Sequence, residues 1–441
     1  MAKKLEHNVD METLVSLAKR RGFVYPGSVI YGGLANSWDF GPLGVEIKRN
    51  IKNLWWKMFV QEREDIYGVD AAIIMKRDVW KASGHEEGFN DPLVECTKCH
   101  ERFRADYVKG DECPNCGAKG SFTEPRQFNM MFRVHVGAVE SDENVTYLRP
   151  ETAQGIFVNF KNIVDTMAPK FPFGVAQIGK AFRNEITPGN FIFRTREFEQ
   201  MEIEYFVRKD DWEKEFDQWR KEMSRWMNAV GLDMKKVHEY DVPTDKLAHY
   251  SKRTIDIEFD FPFGRDELSG LAYRTDFDLH AHQKASGEKM EYTDRETGEK
   301  FIPHIIEPSL GVERTFLALL ASAYRDDGKR VWLDLNMSVA PYKAAVVPLL
   351  KNKPPLVKKA RELFDTLRDV GIGPIAWDER GNIGKRYLSQ DEIGTPYCFT
   401  VDFQTLEDNT VTVRDRNTTK QDRISVNEAA AFLSGKLSGQ D

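Results

Sequence analysis

Apolar residues recur every three or four positions in two long stretches of the chain, residues 41–62 and 210–231. This spacing gathers them on one side of an α-helix, so both stretches are predicted to be amphipathic helices. Gly41 and Pro42 mark the beginning of the first helix, and Gly231 marks the end of the second. The apolar faces consist of Ile47, Ile51, Leu54 and Met58 in the first helix and of Phe216, Trp219, Met223 and Trp226 in the second.

Four other runs have the character of β-strands: residues 174–183, 195–207, 254–261 and 270–278. These strands and the helices do not alternate in regular βαβ units, which disfavours an all-parallel sheet. We therefore expect an antiparallel sheet backed by helices, and the predicted fold class is α+β.

The pattern changes after Arg330. The run 344–350 indicates a buried strand, 354–371 a helix, and 397–403 and 410–416 two more strands. This α/β pattern covers roughly a hundred residues, which is enough for an independent domain.

Residues 179–206 combine both signs of charge with several aromatic rings around a Pro-Gly-Asn turn. Side chains alternate between the two faces of a strand, so Arg183 and Glu185 share a face before the turn. After the turn, one face is apolar and suits packing on helices, while the other is mostly charged. The apolar set is Met201, Ile203 and Tyr205, and the other set is Arg194, Arg196, Phe198, Gln200, Glu202 and Glu204.

The charged face of this hairpin suits a ligand that carries a ring, a phosphate and an amine. Arginines bind phosphate oxygens, Phe198 can stack on a ring, and carboxylates suit an ammonium group. Arg314 is a second candidate phosphate ligand, because it lies in the first turn of a predicted helix after Gly311. Neither a GxxxxGK[ST] loop nor a GxGxxG loop after a strand occurs, so side chains would have to bind the phosphates. The alternatives are an amphipathic hairpin with surface ion pairs and an exposed Arg314 without a ligand.

Composition and charge narrow the class of protein. The chain has 441 residues, of which 41% are hydrophobic and 30% charged, and its net charge is −7. These values predict a folded, soluble protein of two or three domains and argue against nucleic-acid binding by general positive charge. No apolar run approaches the ~20 residues of a membrane-spanning helix, and the first residues do not resemble a signal peptide. We therefore expect a cytoplasmic protein without a membrane partner.

Four of the five cysteines form two CxxC pairs, Cys96 with Cys99 and Cys113 with Cys116. This spacing predicts a zinc-ribbon-like site in which four cysteines hold a structural Zn²⁺ ion. Reduced cysteines without a metal are the alternative. Three further residues of metal-binding type are predicted to be ordinary core or surface residues and not ligands: Cys398, His280 and His282.

Three segments resemble, in their order along the chain, motifs 1, 2 and 3 of the class II aminoacyl-tRNA synthetases. They are GGLANSWDFGPLG, FRNE followed by FRTREFEQMEIEYF, and IEPSLGVERTF. The segments YLRPETAQGIF, YRTDFDL and APYKAAVVP add a resemblance to the homodimeric glycyl-tRNA synthetase family. The resemblance covers essentially the whole chain.

The resemblance implies an antiparallel catalytic sheet of six or seven strands within residues 1–330. It implies a zinc-ribbon-like insertion at 88–128, a helical insertion at 208–250 and an anticodon-binding domain at 331–441. The implied activity is that of an ATP-dependent ligase, which forms glycyl-adenylate and transfers the glycyl group to the 3′ end of tRNA(Gly). The implied partners are ATP with Mg²⁺, glycine, tRNA(Gly) and a second copy of the chain, with Pro42 and the following helix at the dimer interface.

The resemblance also implies roles for individual residues. Arg183, Glu185 and Arg314 would be catalytic, with Arg183 on the α-phosphate of ATP, and Phe198 would stack on adenine. The implied ATP-binding set is Arg183, Asn184, Glu185, Phe193, Arg194, Thr195, Arg196, Glu197, Phe198, Glu267, Leu268, Gly311, Val312, Glu313 and Arg314. The implied glycine-binding set is Arg104, Glu151, Phe198, Glu199, Gln200, Met201, Glu202, Glu307, Pro308, Ser309, Leu310 and Gly311, in which Glu202, Glu307 and Ser309 would receive the ammonium group.

Two other functions remain open at this point. One is a non-catalytic binding protein that keeps the synthetase fold, but such a protein is expected to lose some of the site residues, and Arg183, Glu185, Arg196, Glu202 and Arg314 are all present. The other is a class II synthetase for a different amino acid such as threonine, proline or serine.

Overall fold

The computed structural model describes residues 9–438, and a seven-stranded sheet forms the centre of the larger part. In chain order the strands are β1 (Ile66–Gly68), β2 (Phe173–Phe182), β3 (Glu197–Val207), β4 (Val237–Asp241), β5 (Arg253–Phe261), β6 (Gly264–Thr275) and β7 (His304–Gly311). Across the sheet the strand order is β4-β5-β6-β7-β3-β2-β1.

All neighbouring strands of this sheet are antiparallel except β1 and β2, which run parallel at one edge. The predicted antiparallel sheet of an α+β protein is therefore confirmed, with one parallel pair added. The predicted strand at 270–278 is displaced, because β6 begins at Gly264 and the helix Phe277–Ser286 takes up the end of the run. The segment 208–250 is also not purely helical, since it contributes the edge strand β4 after its helix.

The two helices predicted from apolar periodicity are Pro42–Trp56, which continues in a π-helical turn at Lys57–Gln61, and Trp212–Val230. Gly44 allows the first helix to approach the chain closely, because a Cβ there would lie 1.9 Å from the Phe23 carbonyl oxygen. The second helix ends at Gly231, whose φ of 101° lies in the left-handed region that favours glycine. A third helix, Val312–Ala323, is buried along nearly its whole length.

The aromatic residues of the first helix pack within the chain. Trp55 and Phe59 are buried, and the Phe59 ring lies 5.7 Å from that of Trp219. Trp56 packs on Gly68, where a Cβ would come within 2.5 Å of its ring. Three aromatic residues beyond the core face of one helix would predict a large apolar surface for dimerisation, but here the chain itself covers Trp55, Trp56 and Phe59, so that prediction is wrong.

The remaining elements of the larger part are short. A three-stranded sheet lies within the cysteine-containing segment, and its strands are Asn90–Glu95, Arg102–Arg104 and Arg126–Asn129. The two-stranded pairs are Val24–Pro26 with Trp38–Phe40, Arg133–His135 with Val145–Tyr147, Tyr292–Thr293 with Lys300–Phe301, and Tyr324–Asp326 with Val331–Leu333. The other α-helices are Met11–Arg20, Arg77–Ala82, His85–Gly88, Ala153–Phe157 and Phe160–Met167.

The C-terminal part has its own hydrophobic core around a mixed five-stranded sheet. The strands, in order across the sheet, are Ile375–Trp377, Ala344–Pro348, Tyr397–Val401, Thr410–Asp415 and Gln421–Ser425. Its helices are Pro354–Asp369, Ile383–Glu392, Phe403–Asp408 and Ala429–Ser438. Cys398 is buried in this part, as predicted. None of the helices in residues 9–438 is long and apolar enough to cross a membrane.

Candidate active site

A cavity of about 340 Å³ opens over the middle of the seven-stranded sheet. Strands β3, β6 and β7, the β2–β3 turn and the first turn of the helix Val312–Ala323 supply most of its walls. Sixteen of the sequence-predicted residues line it: Glu151, Arg183, Glu185, Phe193, Arg194, Thr195, Phe198, Gln200, Glu202, Glu267, Leu268, Glu307, Ser309, Gly311, Glu313 and Arg314.

Arginines crowd one end of the cavity. The Arg183 guanidinium lies over the Phe198 ring at 5.2 Å, and its Nε donates a hydrogen bond of 3.0 Å to the Pro150 carbonyl. Arg314 lies over the Phe193 ring at 4.4 Å and donates a 2.9 Å hydrogen bond to the Glu267 carbonyl oxygen. This end therefore offers positive charge next to aromatic rings.

Acidic groups lie beside the arginines on β5 and β6. The Arg314 guanidinium is 3.2 Å from the Glu267 carboxylate and lowers the pKa of that group. Burial, followed by repulsion from Glu267 and Glu258, raises the pKa of Asp256 to about 6. Such a pair of oxygen donors can hold a hard cation such as Mg²⁺.

The other end of the cavity is built around Glu202. Strand register places Glu202 opposite Ser309 on β7, and the Ser309 hydroxyl donates a 2.8 Å hydrogen bond to it. The Thr152 hydroxyl donates to the second oxygen of the same carboxylate. Burial, followed by repulsion from Glu151, raises the pKa of Glu202.

Glu307 and Glu151 add two further carboxylates at this end. Burial raises the pKa of Glu307 to about 8, although Arg274 opposes the shift by donating a hydrogen bond to it. For Glu151, burial acts to raise the pKa, but His85 at 3.3 Å, together with Arg274 and Gln154, outweighs it, so the pKa is lowered. An ammonium group entering here would meet a surplus of carboxylates.

Several residues of this end were not assigned from the sequence. Arg274 is buried and donates two hydrogen bonds of 2.9 Å to Asp278 besides the one to Glu307. Both Arg274 and Asp278 lie in YRTDFDL, one of the segments that carry the family resemblance, so this segment could have predicted them. Tyr250 stacks on the Arg274 guanidinium at 3.9 Å, and it belongs to a loop whose residues border the cavity: Val242, Lys246, Leu247, Ala248 and Tyr250.

The other predicted site residues lie outside this cavity. Arg104 contacts Asp91 at 2.9 Å within the cysteine-containing segment. Glu199 accepts from Lys48 and Lys52, at 2.6 Å and 2.8 Å. Met201, Leu310, Val312 and Pro308 are buried away from the cavity.

Arg196 lies in the turn before β3 and does not line this cavity. It donates a 3.3 Å hydrogen bond to the Ala35 carbonyl. With Asn184 and Glu197 it lines a second cavity of about 920 Å³, which is bordered by residues 34–40. Lys48 and Glu313 also line this second cavity, and Lys48 donates a 2.6 Å hydrogen bond to Glu313.

The four cysteines of the CxxC pairs meet in one cluster. All four sulfur atoms lie within 4.8 Å of one another, with Cys96 to Cys116 and Cys99 to Cys113 each at 3.7 Å. Tetrahedral Zn²⁺ with Zn–S bonds of about 2.3 Å requires sulfur–sulfur separations of about 3.8 Å. The cluster therefore fits the geometry of a structural zinc site. His280 and His282 instead pair with Asp276 and Gln154, at 3.1 Å and 2.8 Å.

Comparisons with known proteins agree with this arrangement. Residues 132–323 match the family model of the tRNA synthetase class II core domain (G, H, P, S and T), and residues 343–436 match that of the anticodon binding domain. The sheet and these two matches define a class II aminoacyl-tRNA synthetase core that is followed by an anticodon-binding domain.

Curated relatives narrow the class to one family. Glycine–tRNA ligases from Thermobifida fusca and Streptomyces coelicolor are 51% and 50% identical over 97% of this chain, and the matches cover 98% and 99% of those proteins. The glycine–tRNA ligase of Geobacillus thermodenitrificans is 50% identical, again over 97% of both chains. The chain belongs to the glycine–tRNA ligase family.

Proposed function

We infer that this chain activates glycine with ATP and then transfers the glycyl group to the 3′ end of tRNA(Gly). The observation that carries this assignment is the polarity of the cavity, with arginines and rings at one end and the Glu202–Ser309 cluster at the other. Phe198 and Glu202 lie four residues apart on one face of β3, which is about 13 Å along a strand. That span suits an aminoacyl-adenylate.

In the first step the glycine carboxylate attacks the α-phosphorus of ATP, giving glycyl-adenylate and pyrophosphate. The attacking group is already an anion, so the enzyme needs no side-chain nucleophile, and alignment and charge stabilisation can supply the catalysis. We assign Arg183 to the α-phosphate, because its guanidinium lies over the Phe198 ring and its Nε donates to the carbonyl of Pro150, which directly precedes Glu151. Arg314 and Arg194 are assigned to the outer phosphates, and Phe198 to the adenine ring.

Mg²⁺ would accompany ATP and neutralise part of the phosphate charge. Asp256 and Glu267 are the groups that would hold it, because both offer carboxylate oxygens beside the arginine end.

At the other end, Glu202, Glu307 and the Ser309 hydroxyl would receive the glycine ammonium group. Charge-assisted hydrogen bonds to buried carboxylates hold an amine without any side-chain contact. Selection against larger amino acids would then rest on space, because a methyl group that overpacks a filled site costs roughly 1–3 kcal/mol.

In the second step a hydroxyl of the terminal tRNA adenosine attacks the glycyl carbonyl and releases AMP. We assign tRNA recognition to residues 331–441 and both chemical steps to residues 1–330, since most of the C-terminal part packs around a core of its own. Five of its buried residues instead join the core of the larger part: Leu333, Leu335, Val339, Ala340 and Ile393. Because tRNA(Gly) is a cytoplasmic molecule, the cytoplasm is the proposed site of action.

Two features outside the cavity belong to this proposal. The four-cysteine cluster would hold one structural Zn²⁺ ion within the insertion at 88–128. A second copy of the chain would cover the apolar residues exposed beside the second cavity, of which Ile30, Tyr31 and Leu34 are 84%, 87% and 63% exposed. The pair would be a symmetric homodimer.

The test is ATP–pyrophosphate exchange with single amino acids, followed by charging of tRNA(Gly). Exchange that depends on glycine, together with charging, is the expected result. Exchange that responds to threonine, proline or serine but not to glycine would contradict the proposal, and so would the absence of exchange with every amino acid.

A further inference from the structure

Glu204 is a buried carboxyl group that the proposed reaction does not use. It lies on β3, two residues beyond Glu202, and its exposed fraction is 0%. It does not line the cavity, and within the described residues 9–438 neither of its carboxylate oxygens has a hydrogen-bond partner. A polar group in that state normally carries a large energetic cost, so its presence requires a physical reason.

The surroundings of Glu204 are strongly acidic. One oxygen from each of Glu202, Glu204 and Glu307 lies within 4.8 Å of the other two. Arg274 is the cation that contacts this group, and it already donates hydrogen bonds to Glu307 and Asp278. The Arg149 guanidinium also attracts the Glu202 carboxylate. Residue Val175, opposite Glu204 on β2, adds no charge.

Three carboxylates at such short separations cannot all stay ionised beside one shared guanidinium. Glu202 accepts hydrogen bonds from two hydroxyl groups, and Glu307 accepts one from Arg274, so both have partners for a charged form. Glu204 has none. Burial, followed by repulsion from Glu307, raises the pKa of Glu204 well above its ordinary value.

We propose that Glu204 is a positioning residue for glycine selection, which stays a neutral acid and donates its proton in a hydrogen bond to the Glu307 carboxylate from behind the cavity. The donated bond fixes Glu307 between Arg274 and Glu204. Glu202 and Glu307 then remain as the charged pair that faces the glycine ammonium group. This inference rests on the proposed function, because it assigns Glu204 a role at the same site.

Two substitutions separate this role from the alternatives. Glu204→Gln keeps the length and a hydrogen-bond donor but cannot ionise, whereas Glu204→Met keeps the length and removes the donor. Matched controls are Glu239→Gln and Glu239→Met on the edge strand β4, where Glu239 is exposed and forms a 2.6 Å ion pair with Arg220. The Michaelis constants (KM) for glycine and ATP are measured by pyrophosphate exchange on the full chain.

We expect Glu204→Gln to keep both KM values within about twofold of the wild type. Glu204→Met is expected to raise the glycine KM by about tenfold and to leave the ATP KM within about twofold, since one hydrogen bond to a charged group is lost. If Glu204 had only a structural role, Glu204→Met would not raise the glycine KM while leaving the ATP KM unchanged, and glutamine at this position would not restore the glycine KM. The Glu239 variants should match the wild type.

Two results would overturn the inference. A rise of about tenfold or more in the glycine KM of Glu204→Gln would show that the charge of Glu204 is needed. An unchanged glycine KM in a folded Glu204→Met protein would show that its hydrogen bond is not needed. A wild-type enzyme without glycine-dependent exchange would instead defeat the proposed function itself.

Infrared spectroscopy keeps the test decisive if Glu204→Met fails to fold. With a non-hydrolysable glycyl-adenylate analogue bound at neutral pH, the wild type should show the carbonyl band of a protonated carboxylic acid, and Glu204→Gln should lack it. A band of equal intensity in both proteins would contradict the inference.

Discussion

The most direct test of the amine end of the cavity is the substitution Glu202→Gln. Glutamine has the same shape, and the hydroxyls of Thr152 and Ser309, which both donate to Glu202, can reorient to accept from its amide. The substitution therefore removes a negative charge with little change in packing. Its effect should fall on glycine, whose ammonium group we place against this carboxylate.

The size of the effect follows from the interaction that is lost. A hydrogen bond to a charged group contributes about 1.5–3 kcal/mol, which corresponds to a factor of about 10 to 150 in binding. We expect the glycine KM to rise within that range. The ATP KM should stay within about twofold, because Glu202 lies about 13 Å along β3 from the proposed adenine contact, Phe198.

Pyrophosphate exchange with varied glycine at saturating ATP, and the reverse, measures both constants. Arg183→Ala is the opposing arm, since it should weaken ATP binding or abolish the chemistry. Glu239→Gln on the edge strand controls for loss of a glutamate charge elsewhere in the sheet. A Glu202→Gln enzyme with a raised ATP KM and an unchanged glycine KM would refute the division of the cavity into a phosphate end and an amine end.

Three further predictions concern protons, metal and assembly. Burial raises the pKa of Glu307 to about 8, and the glycine ammonium group requires the carboxylate form of Glu307, which Arg274 and Glu204 stabilise and which becomes more abundant as the pH rises. The glycine KM should therefore fall several-fold from about pH 6.5 to about pH 8.5, and a flat profile would contradict this. Purified protein should contain about one zinc ion per chain by metal analysis, and less than about a tenth of a zinc ion per chain would exclude the zinc site. In Cys113→Ser, residues 90–128 should be the first to lose protection from hydrogen exchange. The chain should be a dimer by light scattering at micromolar concentration, and a monomeric wild type would refute the proposed interface. Ile30→Asp should give monomers, whereas the control Val139→Asp, at an exposed site elsewhere, should remain a dimer.

The sequence alone predicted which side chains of β3 lie on the same face of the strand. Strand alternation places Phe198, Gln200 and Glu202 on one face of β3, and all three line the cavity. The same argument failed for Arg196, because β3 begins at Glu197 and alternation does not extend into the preceding turn. A period-two pattern is reliable only where the backbone is extended and paired.

Tertiary structure alone decided which distant side chains meet. Ser309 reaches Glu202 because β7 pairs with β3 in one register, although 107 residues separate the two in the chain. Lys48 on the first long helix joins Glu199 and Glu313 through the packing of three separate elements. Periodicity reports the face on which a side chain lies, but it carries no information about what faces it.

The same distinction applies to the aromatic residues of the first helix and to Glu204. Trp55, Trp56 and Phe59 exceed the face that apolar periodicity requires, yet other parts of the chain cover them. Glu204 belongs by alternation to the charged face of the hairpin, but packing buries it behind the cavity. The sequence by itself therefore determined the elements, the family and the chemical types at the site, since these depend on local pattern and motif. The partners and the protonation of the buried carboxyl groups were decided only by the fold, because desolvation and charge–charge interactions depend on distances in space.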